Sequence, residues 1–121
     1  MVKRIMVVDD AAFMRMTLKN ILQSGGYEVC GEAESGAEAV KRYEELKPDL
    51  VTMDIVMLDR DGIQASKNIL EKDPQAKILI VSAMGQQHLI VEAIQTGAKG
   101  FIIKPFNPNT VLQEVKRILG E

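Results

Sequence analysis

The chain alternates five times between a short apolar segment rich in β-branched residues and a longer segment whose apolar residues recur with helical spacing. Continuous apolar runs of this kind are typical of strands that are buried on both faces. A strand-helix repeat of about 24 residues requires right-handed crossovers between parallel strands. The alternation therefore predicts a doubly wound α/β fold with helices on both faces of a parallel sheet. The predicted strands cover residues 2–8, 27–31, 49–53, 77–81 and 100–103.

Capping signals mark the ends of the predicted helices. Ser35, followed three residues later by Glu38, forms a capping box at the start of the second helix. The glycines at 25–26 end the first helix, and the last helix has Asn107 as its cap and Pro108 at its first position. A weaker helical pattern covers residues 63–71, and a fourth helix runs up to residue 97.

Length and charge restrict the kind of protein that this can be. The chain has 121 residues, 15 Lys plus Arg against 17 Asp plus Glu, and therefore no basic excess for nucleic acid. Cys30 is a lone cysteine, and the first apolar run is too short to be a signal peptide or a membrane span. We expect one domain over residues 1–121 and no output domain. We expect the protein to be monomeric, cytoplasmic and independent of membranes.

Polar side chains interrupt the apolar runs at the carboxyl ends of four predicted strands. Asp9 and Asp10 follow the first strand, and Asp54, Ser82 and Lys104 follow the third, fourth and fifth. In a five-stranded sheet of order 2-1-3-4-5, ligands bind at the carboxyl edge between the first and third strands. The three aspartates are therefore expected to meet there.

A cluster of carboxylates needs positive charge to hold it together, because two carboxylates about 5 Å apart repel by roughly 3 kcal/mol. Mg²⁺ with oxygen ligands suits such a cluster, and it is commonly bound together with phosphate oxygens. Asp54 then fits the role of a nucleophile, Lys104 that of a cation, and Ser82 that of a hydroxyl donor in phosphoryl transfer.

Five segments of the chain together resemble the signature of the receiver domains of two-component response regulators. They are VVDD at 7–10, MDIVM at 53–57, DG at 61–62, VSA at 81–83 and KPF at 104–106. They occur in the order of that family, and the match extends over essentially the whole chain. The resemblance implies a flavodoxin-like three-layer sandwich and a phosphorylated signalling protein rather than an enzyme that turns over a separate substrate.

Carried over to this sequence, the resemblance implies that Asp54 accepts a phosphoryl group from a phosphohistidine on a sensor histidine kinase. Asp10, Asp54 and the backbone carbonyl of Val56 would bind Mg²⁺, while Asp9 would contribute through a metal-bound water. Ser82 and Lys104 would bind the phosphoryl oxygens.

The resemblance also implies how the signal is transmitted. Ser82 moves towards the new phosphate, Phe101 turns inward, and the peptide bond between Lys104 and Pro105 is cis. The surface that changes consists of the fourth helix, the fifth strand and the fifth helix. Leu58 departs from the family, which usually has proline there.

The stretch SAMGQQ at 82–87 is similar to the chemotaxis branch of receivers. The expected partners are a chemotaxis-type sensor histidine kinase, a flagellar or archaellar motor switch or adaptor protein, and a phosphatase. A phosphorelay intermediate that passes its phosphoryl group to a histidine phosphotransfer protein is an alternative within the family. His88 is expected at the surface, and Asp61-Gly62 in a turn.

Two alternatives lie outside the receiver class. A Mg²⁺-dependent phosphatase of the haloacid-dehalogenase type uses similar residues, but its nucleophile follows the first strand as Asp-x-Asp, whereas Asp9 and Asp10 are adjacent. A flavodoxin-like cofactor binder would need hydroxyls in its first loop, where the two aspartates would repel a phosphate.

Overall fold

A computed structural model describes residues 2–57 and 62–121, so Leu58 and Asp61 lie outside the described residues. Within these ranges strands and helices alternate as the sequence predicts. The elements are β1 (Arg4–Val8), α1 (Ala12–Ser24), β2 (Glu28–Ala33), α2 (Gly36–Leu46), β3 (Leu50–Asp54), α3 (Gly62–Lys72), β4 (Ile78–Ala83), α4 (Gln87–Thr96), β5 (Gly100–Lys104) and α5 (Pro108–Leu119).

The strands form one parallel sheet of order β2-β1-β3-β4-β5, which confirms the predicted topology. β2 pairs with one edge of β1 and β3 pairs with the other, so the strand order reverses after β2. β1 and β3 are therefore neighbours within the sheet. Their carboxyl ends form the crevice in which a doubly wound sheet binds its ligands.

Alternate residues of the buried strands pack into two separate cores, because successive side chains of a strand point to opposite faces. On one face, Ile5 and Val7 belong to a core completed by α1 and α5. On the other face, Met6 and Val8 belong to a core completed by α2, α3 and α4. The helices therefore form two layers on either side of the sheet.

Several strand ends differ from the prediction by one or two residues. β3 includes Asp54, β4 continues through Ser82 to Ala83, and β5 includes Lys104. The strands extend because backbone pairing continues past the last apolar side chain, with Ser82 opposite Ile103 in β5. Asp54, Ser82 and Lys104 are therefore held by the sheet itself, whereas Asp9 and Asp10 follow the end of β1.

The predicted helix caps are confirmed. The Ser35 hydroxyl accepts a hydrogen bond from the Glu38 N–H at 3.1 Å, and the Asn107 side chain accepts one from the Thr110 N–H at 2.8 Å. Pro108 is the first residue of α5. None of the described helices combines the length and the hydropathy that a membrane-spanning helix needs.

Candidate functional site

Side chains from three strand ends converge at the carboxyl edge of the sheet. The Lys104 ammonium lies 3.1 Å from a carboxylate oxygen of Asp9 and 3.5 Å from one of Asp54. Both aspartates are buried, with side-chain exposures of 1% and 6%, while Lys104 keeps 23% of its side chain exposed. Because β5 is separated from β3 by β4, only a long side chain can reach the two carboxylates from its strand.

Asp9 is held by contacts on every side. Its N–H donates to the carbonyl of Ala33, and its Oδ1 accepts the N–H of Ala11 at 2.9 Å. Its carbonyl accepts the Arg15 guanidinium at 2.7 Å, and its Oδ2 accepts the Lys104 ammonium. Both carboxylate oxygens of Asp9 are therefore already engaged.

Asp10 differs from Asp9, because within the described residues its carboxylate has no hydrogen bond or ion pair. Asp9, Asp10 and Asp54 each offer a carboxylate oxygen within 4.8 Å of the others, the only such acidic, histidine or cysteine cluster in the described chain. Three carboxylates and one ammonium leave a formal charge of −2 among these described side chains. A divalent cation with oxygen ligands matches both this charge and this donor set, which Mg²⁺ prefers.

The environment of Asp54 opposes its negative charge. Burial is the main cause that raises its pKa to about 6, and the negative charge of Asp9 adds to the effect, while Lys104 acts in the opposite direction. Asp54 is therefore still ionised at pH 7, but at a cost in free energy. A nearby cation or a change that neutralises the carboxylate relieves this cost.

The Ser82 hydroxyl is buried and is hydrogen-bonded to residues that follow it closely in the chain. It donates to the side-chain oxygen of Gln86 at 2.7 Å, with the Ala83 carbonyl as a longer acceptor at 3.1 Å. The same Gln86 oxygen accepts the N–H of Ala83 at 2.9 Å. Gln86 was not identified as a site residue from the sequence, because a glutamine before a helix carries no distinguishing pattern.

Gly62 is a second residue whose role only the structure reveals. It begins α3, and its N–H donates to the carbonyl of Ile55 just beyond β3. A Cβ at this position would lie 2.1 Å from the Asp54 carbonyl oxygen and 2.8 Å from the Ile55 Cα. The start of α3 therefore packs directly on the backbone that carries Asp54, which only glycine permits.

The other predicted residues include two exposed side chains and one peptide bond. Phe101 is 44% exposed on β5, and Val56 is 46% exposed two residues beyond β3. The peptide bond between Lys104 and Pro105 is cis. His88 is exposed on α4 and is not part of the acidic cluster.

The fold and this site are those of the receiver domain. The family model for the response regulator receiver domain matches residues 5–116, and the chain belongs to this family. Of the polar residues that point to the family in the sequence, Asp9, Asp10, Asp54 and Lys104 converge in the structure.

Within this family the chain resembles the CheY proteins of chemotaxis. It is 57% identical to "Chemotaxis protein CheY" of Thermotoga maritima over 116 residues, which cover 96% of this chain and 97% of that protein. It is 56% identical to that of Bacillus subtilis over 120 residues, which cover 99% and 100%. The CheX-CheY-BeF3-Mg complex from Borrelia burgdorferi contains a similar chain, with a TM-score of 0.91, 36% identity and coverages of 96% and 88%.

These comparisons establish a CheY-like response regulator, and they do not support the phosphatase alternative. The position of Asp54 at the end of β3 agrees, because the alternative requires a nucleophile directly after the first strand. Membership of the family implies a histidine kinase as phosphoryl donor and a downstream binding partner.

Proposed function

We propose that this protein accepts a phosphoryl group from a chemotaxis-type sensor histidine kinase onto Asp54 and then changes its affinity for a component of the motility motor. The observation that supports this most directly is the convergence of Asp9, Asp10 and Asp54 with Lys104 at one sheet edge. That arrangement provides a nucleophile, a cation for the phosphoryl group and the oxygens for a divalent metal.

In the proposed reaction an ionised oxygen of Asp54 donates its electron pair to phosphorus. The new P–O bond forms as the P–N bond of the phosphohistidine breaks, and the leaving imidazole nitrogen takes up a proton from solvent water. Lys104, whose ammonium lies 3.5 Å from Asp54, would pair with a phosphoryl oxygen. Ser82 would donate its hydroxyl hydrogen to another, as electrostatic stabilisation of the transferred group requires.

We assign the Mg²⁺ ligands to Asp10, Asp54 and the backbone carbonyl of Val56, with Asp9 acting through a bound water. The engagement of both Asp9 oxygens, against the unpaired carboxylate of Asp10, supports this division of roles among the described residues. When bound, the metal supplies positive charge that offsets the charge of the phosphoryl oxygens. The Borrelia relative was crystallised with both Mg²⁺ and beryllofluoride, an analogue of the phosphoryl group.

The test is incubation with acetyl phosphate and Mg²⁺, followed by intact mass measurement. We expect a gain of one phosphoryl group that disappears in Asp54→Asn and in the presence of a chelator. A wild-type protein that stays unmodified, or a modification that persists in Asp54→Asn, would contradict the assignment of Asp54.

Mg²⁺ is expected to raise the midpoint of thermal unfolding at pH 7, because only the folded chain brings the three carboxylates together. Asp10→Asn should weaken Mg²⁺ binding by about tenfold or more, since it removes a ligand and lowers the negative charge of the site. The shift is measured by calorimetry over a Mg²⁺ titration. Glu71→Gln, which removes an equal charge from an exposed position on α3, should leave the titration unchanged.

For the output surface we propose the face formed by α4 and β5. It carries an apolar groove lined by Ile90, Val91, Ile94, Phe101 and Ile103. Val91 is 54% exposed and Ile94 41%, so the face offers apolar area to a partner.

Tighter binding of a flagellar or archaellar switch or adaptor protein by the phosphorylated form would support the motility role. Transfer of the phosphoryl group to a histidine phosphotransfer protein would instead indicate a phosphorelay intermediate.

A further inference from the structure

The Ser82 hydroxyl is bonded to the residue that immediately precedes α4. It donates to the Gln86 side-chain oxygen, with 2.7 Å between the two oxygen atoms. The oxygen and nitrogen of the Gln86 amide are distinguished by the Ala83 N–H, which also donates to this atom at 2.9 Å and therefore requires an acceptor. Ser82 is fully buried, so water does not compete for its hydroxyl.

A serine hydroxyl has a single hydrogen, which it can donate to one acceptor at a time. Gln86 and an incoming phosphoryl oxygen therefore compete for it. We propose that Gln86 is a positioning residue that holds the Ser82 hydroxyl in the unphosphorylated protein and opposes activation until the phosphoryl group displaces it. This inference rests on the proposed function, because it requires that Ser82 binds the phosphoryl group.

The position of Gln86 explains how the exchange reaches the output face. Gln86 occupies the N-cap of α4, yet its side chain makes no capping hydrogen bond to that helix. It bonds instead to Ser82 and Ala83, across the turn formed by Gly85 at a φ of 89°. Loss of the Ser82 bond leaves the side chain of this N-cap residue with only its bond to Ala83, and α4 supplies one wall of the apolar groove.

The experiment measures the affinity for beryllofluoride with saturating Mg²⁺ by fluorine NMR in four proteins. These are the wild type, Gln86→Ala, Ser82→Ala and the double variant. Gln86→Ala is expected to bind beryllofluoride about two- to tenfold more tightly, the range that one neutral hydrogen bond supplies. In the Ser82→Ala background the same substitution should have no effect, because the competed hydrogen is gone.

Two further variants serve as controls. Gln86→Met keeps the length of the side chain without its amide, and it should bind beryllofluoride as tightly as Gln86→Ala does. Agreement between the two variants excludes lost packing as the cause of the change in affinity. His88→Ala removes an exposed polar side chain from the first turn of the same helix and should not alter the affinity.

An unchanged affinity in Gln86→Ala, or an equal change with and without the Ser82 hydroxyl, would overturn the inference while leaving the phosphoryl site intact. If Gln86 has a purely structural role at the start of α4, its substitution should change the affinity equally with and without the Ser82 hydroxyl. Failure of the wild type to bind beryllofluoride would instead refute the proposed phosphoryl site and the inference together.

Discussion

Asp54→Asn is expected to stabilise the metal-free protein at pH 7 by about 3 kcal/mol, although it removes the proposed phosphoryl acceptor. The gain arises because burial and the neighbouring Asp9 raise the pKa of Asp54 to about 6 from an ordinary 3.8. Asparagine carries no charge and so avoids the cost of ionisation in this environment. Chemical unfolding in chelator at pH 7 measures the difference, which corresponds to about 10 °C in the thermal midpoint.

The sign of the pH dependence follows from the two pKa values. Between pH 4 and pH 6 the folded protein keeps the Asp54 proton while the unfolded chain has lost it, so stability falls as the pH rises through this window. The advantage of Asp54→Asn should therefore be complete above pH 6 and vanish near pH 4. Glu71→Gln changes an exposed residue of α3, and its effect on stability should not vary with pH in this way. An asparagine variant that is no more stable than the wild type at pH 7 would show that the pKa is not raised.

Gly62→Ala is expected to destabilise the protein by about 3 kcal/mol and to slow phosphorylation by acetyl phosphate about 100-fold. The added Cβ would lie 2.1 Å from the Asp54 carbonyl oxygen, so either α3 or the end of β3 must move. Because Asp54 is the proposed nucleophile, a shift of its backbone also misplaces it relative to Lys104. Chemical unfolding and the rate of mass gain measure the two effects.

Gly120→Ala provides the matched control. Gly120 has a φ of 78°, and no heavy atom lies within 4 Å of the position that a Cβ would occupy there. Alanine at this position therefore costs only the left-handed backbone strain, about 1 kcal/mol. Phosphorylation should proceed at the wild-type rate in this variant. A Gly62→Ala protein that unfolds and phosphorylates like the wild type would show that α3 does not constrain Asp54.

The fold was predictable because its signals are local. Apolar runs, helical spacing and the caps at Ser35 and Asn107 each involve residues close in sequence, and the structure contains all of them. The strand ends were less predictable, because backbone pairing extends into Asp54 and Lys104 irrespective of side-chain polarity. The difference is informative, since it places these residues on the rigid sheet.

The two missed residues act through contacts that have no sequence signature. Gly62 matters because the α3 backbone approaches the β3 backbone, and Gln86 matters because its amide reaches the Ser82 hydroxyl. The glycine of a DG pair is equally compatible with an ordinary turn. Neither the approach of two elements nor the orientation of an amide can be inferred from residue type and spacing.

The sequence by itself determined the alternation of strands and helices, the parallel sheet, and the presence of aspartates, a serine and a lysine at its carboxyl edge. These follow from hydrophobic periodicity and from the rule that parallel strands end at the same edge. Only the tertiary structure decided which carboxylates are already paired, how far burial shifts the pKa of Asp54, and which group holds the Ser82 hydroxyl. Those properties depend on distances of a few ångströms between residues far apart in sequence, and packing alone sets them.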